Sequence, residues 1–201
     1  MKKLIVTAAF LTSMMSLTAR AQEPAPAASA PAADPAPAAA GKVTLGVDAA
    51  FMLPLGDWAD RSGLGFGGLI RGEYNVLPNL NVTGRVGYIY SLKKEESAEG
   101  VTTKLNVNVL PIWVGAKYFL TDMFYGGAEV GLNHLMSKGE MSGGGMDLSG
   151  STSDDKLGVN VGAGALISGI DLRAQLSFLS IGDTTDAMAL IVTAGYNFMS
   201  L

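Results

Sequence analysis

Three residue types that cooperate in nucleophilic catalysis stand close together in the chain: His134, Ser137 and Glu140. A histidine that takes the proton of a serine hydroxyl, oriented by a carboxylate, is the arrangement of an ester hydrolase. His134 is the only histidine. Spacing is the whole of that case, and Ser and Glu are common in loops. A histidine at the top of a strand beside a polar loop explains the same residues, so the chain is read as having no catalytic site. The glycine runs Gly63-x-Gly65-x-Gly67 and Gly162-x-Gly164 precede no helix, which removes a nucleotide loop. Glu95, Glu96, Glu99, Asp154, Asp155, Asp183 and Asp186 follow no calcium-loop spacing and read as a solvated rim. There is no cysteine, hence no disulfide framework and no zinc-thiolate site. No metal or cofactor is expected.

A second set of charged residues is placed more tellingly. Asp48, Arg71, Glu73, Arg85, Lys117, Glu129, Asp171 and Arg173 all sit within alternating apolar segments, and each takes the phase opposite to most of the apolar residues. If those segments are strands crossing a bilayer, an Arg or Lys on the lipid side near the midplane costs ~2–4 kcal/mol. The charges must then face inward, and as four acids and four bases they can balance. Counted from the ends joined by short turns, Asp48, Arg85 and Glu129 share a depth, which makes Arg85 the first candidate partner of Glu129. An eight-stranded barrel is just wide enough for side chains to fill it. The expected interior is therefore a packed polar one, with this lumen charge network throughout.

The elements that would hold these residues are strands. From Leu157 to Phe198 the side chains alternate with period two, broken by Ser168-Gly169, a two-residue hairpin signal. Eight such segments are expected: about Val43–Leu53, Gly63–Tyr74, Leu80–Leu92, Lys104–Phe119, Phe124–Leu135, Leu157–Ile167, Ile170–Ile181 and Ala187–Phe198. Each meets the ~9–11 residues of a tilted transmembrane strand. Long connections follow the odd segments and short ones the even, as between the two sides of a membrane. Met136 to Lys156, rich in Gly and Ser, reads as a mobile loop. Aromatics gather toward both strand ends, predicting an interfacial girdle. Tyr74, Tyr118, Phe124, Tyr196 and Phe198 mark the short-turn side, along with Phe119 and Tyr125. Phe66, Tyr88, Tyr90 and Phe178 mark the other, along with Phe51 and Trp58. In the fourth segment the apolar phase changes between Val109 and Val114, which predicts a bulge near Pro111.

The ends of the chain carry their own signals. Lys2 and Lys3, an apolar run from Leu4 to Leu17 and Ala19-Arg20-Ala21 read as a secretory signal peptide over 1–21. Residues 22–41 are almost all Ala and Pro and read as a disordered linker reaching up to about 62 Å at ~3.1 Å per residue. The barrel domain is placed at 42–201. Cleavage after Ala21 removes three of the 14 basic residues and none of the 18 acidic ones, which takes the net charge from −4 to −7. That balance disfavours a nucleic-acid partner.

The segments VTLGVDAAFMLPLGDW, LPIWVGAKYFLTDMFYGGAEVGLNH and ALIVTAGYNF resemble the small eight-stranded outer-membrane barrels of Gram-negative bacteria. These comprise the OmpA membrane domain, OmpX, and the opacity-protein-like and OmpW-like group. The resemblance implies an all-β, eight-stranded antiparallel up-and-down transmembrane β-barrel in the cell outer membrane. It implies a monomer that touches outer-membrane lipid and lipopolysaccharide and meets the barrel-assembly machinery through its last strand, where Tyr196 and Phe198 match and Met199-Ser200-Leu201 follow. The expected role is structural or one of surface interaction. One alternative is an OmpW-like conduit for small apolar molecules, which would have an apolar upper funnel. Two others are a lipid-modifying outer-membrane esterase and a soluble lipocalin-like binder, the last prompted by Gly56-Asp57-Trp58.

Overall fold

A computed structural model describes residues 41–98, 101–143, 146–182 and 187–201. The expected signal peptide and nearly all of the expected linker lie outside the described residues. The elements are β1 (Val43–Leu55), a short helix α1 (Trp58–Arg61), β2 (Gly65–Leu77), β3 (Leu80–Ser91), β4 (Lys94–Ala98), β5 (Val101–Phe119), β6 (Phe124–Gly143), β7 (Met146–Ile167), β8 (Ile170–Phe178) and β9 (Met188–Ser200). Every pairing is antiparallel. β1 pairs with both β2 and β9, and β3 pairs with β5, so the sheet closes into a ring of eight wall strands, with β4 continuing the third. Closure leaves no edge in the wall, the condition for backbone to cross lipid as strands. At the β7–β8 turn Ser168 and Gly169 both have positive φ, 50° and 83°, as a two-residue hairpin of the primed type requires.

Period two then sorts the side chains. At mid-height the outer face carries Ile70 (61% exposed), Val114 (56%) and Val161 (54%), together with Val47, Val86, Val130, Leu172 and Val192. An apolar belt around the whole ring has no place in water and is solvated by lipid tails. A soluble lipocalin-like binder would turn its apolar faces inward and its charges outward. Here the outward face at mid-height is apolar, and Asp48, Arg71, Glu73, Arg85, Lys117, Glu129, Asp171 and Arg173 are buried.

Three expectations are corrected. The described residues of Met136 to Lys156 form strands rather than a loop. β6 and β7 stay in one register from Phe124↔Ala165 to Gly143↔Met146, and β4 and β5 rise beside them. This four-stranded extension climbs roughly 25 Å past Leu135 at ~3.3 Å per residue. With water on both faces it needs no apolar alternation, so backbone pairing forms it where the side-chain pattern is silent. The bulge near Pro111 is absent as well. The β5–β6 register runs without a step from Thr102↔Ser142 to Phe119↔Tyr125. Val107 and Val109 simply face inward, because the upper interior is apolar. Finally, Trp58 is not an interfacial aromatic. It is 4% exposed, carried into the mouth of the ring by α1.

Candidate functional site: the interior of the barrel

The inner face has two storeys. The lower one, on the short-turn side, holds the eight charged residues named from the sequence, each between 1% and 7% exposed. Arg71 stands at its centre. Its Nη1 lies 3.1 Å from Asp48 Oδ1 and 2.5 Å from Asp171 Oδ2, its Nε 3.0 Å from Glu73 Oε1, and its Nη2 donates to Asn197 Oδ1 at 2.6 Å. Lys117 Nζ joins Glu73 to Asp171. Glu129 receives Arg85 Nη1 at 3.1 and 3.2 Å, Arg173 Nη1 at 2.6 Å and Asn160 Nδ2 at 3.3 Å. Arg85 closes the circuit through Asp48 Oδ2 at 3.6 Å and donates to Gln175 Oε1 at 3.0 Å.

All eight wall strands therefore send a side chain into one connected network: Asp48 from β1, Arg71 and Glu73 from β2, Arg85 from β3, Lys117 from β5, Glu129 from β6, Asn160 from β7, Asp171 and Arg173 from β8, and Asn197 from β9. Buried charges are tolerated when each has a partner of opposite sign and its remaining lone pairs are hydrogen-bonded. Glycines make the room. A Cβ on Gly195 would come 2.1 Å from Asp48 Oδ1, and one on Gly164 would come 2.4 Å from the Tyr125 ring. The void beside Glu129 and Arg173 is about 10 Å³, no more than the room for one water.

Tyr125, expected among the interfacial aromatics, is not one of them. It lies inside instead, 1% exposed. Its hydroxyl donates to Asp171 and accepts from Arg173 Nε at 3.2 Å, and its ring lies 4.7 Å from Lys117 Nζ. Such cation–π contacts add to the ion pairs. The signal that could have found it is phase, since Tyr125 shares parity with Gly127 and Glu129. The girdle residues Tyr74, Tyr118, Phe124, Tyr196, Phe198, Phe66, Tyr88 and Tyr90 are 42–58% exposed on the outer face, and Phe178 is half-buried.

The upper storey is predominantly apolar, with Ser91, Ser177 and Ser180 as small buried polar residues among the apolar ones. Met52, Leu69, Ile89, Val109, Trp113, Leu179, Ala189 and Ile191 are each at most 2% exposed and pack with Ala50 and Trp58. This corrects the expectation of a polar interior throughout. Trp113 is the boundary. Arg85 lies 5.1 Å from its ring centre, and its Nε1 donates to Asn133 Oδ1 at 2.9 Å. Asn133 in turn donates to the Leu179 carbonyl at 3.0 Å. Above, a cavity of about 350 Å³ opens at the mouth, with Trp58, Val107, Leu135 and Ala187 as its apolar lining and Arg61 among its polar residues.

The esterase arrangement is not made. His134 and Ser137 are three residues apart in one strand, so they face opposite sides of the wall. His134 Nδ1 lies 2.6 Å from Asp155 Oδ1, and Glu140 is held by Lys93 Nζ at 2.9 Å. That ammonium holds the Glu140 carboxyl below the usual carboxylate range. Of the rim acids, Glu95 pairs with Lys104 at 2.8 Å and Asp154 with Lys156 at 2.9 Å. Glu99, Asp183 and Asp186 lie outside the described residues, as does the Glu96 side chain.

A closed ring of eight tilted strands, apolar without and charged within, is a transmembrane β-barrel of the outer-membrane type. The chain belongs to the family described as outer membrane protein beta-barrel domain, which matches residues 10–198, and its place is the outer membrane. The fold is similar to that of Ail, the attachment invasion locus protein of Yersinia pestis, at 15% identity and a TM-score of 0.52, covering 80% of this chain and 100% of that one. The same protein in complex with the heparin analogue sucrose octasulfate matches at 16% identity with the same coverage and TM-score. Neisserial surface protein A matches at 19% identity over 78% of this chain and 97% of that one, with a TM-score of 0.42. No curated protein matches the chain.

Proposed function

We propose that this is a monomeric, non-enzymatic envelope protein with a closed barrel, which acts outward through its raised strands and mouth and passes no solute through its base. The observation that carries this reading is the charge network to which every wall strand contributes. A hydrated ion would have to displace paired charges, and leaving one buried partner unpaired typically costs ~3–5 kcal/mol. The apolar belt is suited to outer-membrane lipid, the strand ends to lipopolysaccharide, and Tyr196 and Phe198 on the last strand to the barrel-assembly machinery. The sulfated ligand of Ail is not carried over. The described charges of the extension have both signs, and Lys93–Glu140, Lys104–Glu95 and Lys156–Asp154 pair with each other.

A second reading, a conduit for small apolar molecules, is favoured by the apolar upper storey and by one feature of the wall. The β3–β5 ladder pairs Val86↔Ile112 and Ile89↔Val109 but has no partners for Gly87 and Tyr88 opposite Pro111 and Leu110. Proline has no N–H to give a ladder. A molecule entering from above and barred by the base would leave there, into the bilayer. Liposome permeability separates the two. The closed-barrel reading expects ions and sugars to be retained and apolar solutes to enter no faster than into protein-free liposomes. Protein-dependent entry of apolar solutes alone would support the conduit, and leakage of sugars would contradict both.

A further inference from the structure

The cavity at the mouth has the makings of a binding site that the closed base does not explain. Its volume, about 350 Å³, lies at the small end of ligand pockets, which run ~300–1,000 Å³. Trp58, Val107, Leu135 and Ala187 line it and also pack on the buried apolar cluster beneath. The apolar part is thus backed by fixed side chains and is pre-formed. Arg61 joins the lining from α1, and among the described residues it makes no ion pair. The helix that presents it is anchored twice. Trp58 is buried in the cluster, and Lys94 Nζ donates to the Ala59 carbonyl at 2.5 Å. Ser137 supplies a hydroxyl on the opposite wall.

We infer that this cup binds a single-chain carboxylate amphiphile, with its tail on Leu135, Val107 and Trp58 and its head on Arg61. An exposed guanidinium that makes no ion pair among the described residues, carried by an anchored helix beside an apolar floor, matches a carboxylate in charge and in its two-pronged geometry, and Lys156 adds a second positive charge to the lining. A two-chain lipid is too large for the cup. Its opening lies at the mouth rather than in the wall, so the ligand arrives from the aqueous side. This inference is independent of whether the base conducts.

The chain has two tryptophans, and Trp58 is the one on the cup. The test is quenching of tryptophan fluorescence by an undecanoate brominated at its far end, with the full barrel in phosphatidylcholine nanodiscs. Brominated undecanol is the neutral control. The acid should quench saturably, and Trp113→Phe, which leaves Trp58 as sole reporter, should keep that saturation. Arg61→Gln should raise the half-saturating concentration of the acid about tenfold, the loss of one charge-assisted contact of ~1.4 kcal/mol, and leave the alcohol unchanged. Ser137→Phe, which fills the cup, should abolish quenching by both, with heat-dependent gel mobility showing that each variant is folded. Quenching that grows linearly and equally in all variants is partition into the disc and overturns the site. Equal effects of Arg61→Gln on acid and alcohol overturn the carboxylate, and equal quenching by a brominated phospholipid overturns the aqueous single-chain ligand.

Discussion

The lower and upper storeys of the barrel interior fill the same eight-stranded ring in opposite ways. Below, Glu129 meets Arg85, Arg173 and Asn160, and no partner can change without leaving a charge exposed to a dry interior. Above, Met52, Ile89, Val109, Leu179 and Ile191 fill space by shape alone. The lower storey is specific in chemistry and tolerates little substitution of any size. The upper one is specific in volume and tolerates changes that conserve it. On the proposed reading, a barrel of this width is closed at one level and merely packed at the other. Its floor and its mouth can therefore serve different ends.

The largest effect that would break the contrast lies at Glu129. Glu129→Ala should destabilise the barrel by ~3–5 kcal/mol in urea unfolding from lipid vesicles, because Arg85 and Arg173 both lose their carboxylate. Adding Arg85→Ala should cost much less than the sum of the single changes, since the two share one interaction. Additive energies would mean that the pair is not a working contact. Glu129→Gln, nearly the same shape, should still cost a large part of the loss.

The upper storey should answer size instead. Ile89→Ala should cost ~2–5 kcal/mol as a cavity, whereas Ile89→Leu should cost less than ~1.5 kcal/mol. If the two Ile89 variants cost the same, the upper packing is loose. If Glu129→Gln proves as cheap as Ile89→Leu, the two storeys do not differ in kind.

The smallest effect lies outside the membrane and separates surface charge from buried charge. The Lys93 ammonium holds Glu140 below the usual carboxylate range. A depressed folded value means that the pair stabilises the extension fully above the ordinary carboxylate pKa and loses that contribution as pH falls through the folded value. Amide exchange of 136–143, corrected for intrinsic rates, should quicken on acidification through that window. Glu140→Gln should remove the dependence, and an unchanged profile would show that the pair contributes nothing.

Much of this was legible in the chain. Alternation gives the strands, and the cost of charge in lipid puts Glu129, Arg85 and their companions on the inner face. Depth along the strands then brings Arg85 to Glu129. Other features were not legible: period two assigns a face only where the two sides of the wall differ and keep their character along the strand. In upper β5 the interior turns from charged to apolar, so the inward Val107 and Val109 looked like a slip in phase. In the β6–β7 extension both sides are water, so strand looked like loop. Trp58 sits on a turn of helix whose path no periodicity reports. The cup was invisible because Arg61, Leu135 and Ala187 come together only when the ring closes.

The central claim is that the charged floor closes the barrel, and planar-bilayer recording of the unmodified protein tests it most directly. The account predicts conductance near background, and Glu129→Ala should leave it there, because Arg71, Lys117, Tyr125 and Asp171 still fill the ring. A large, steady conductance in the unmodified protein would contradict it.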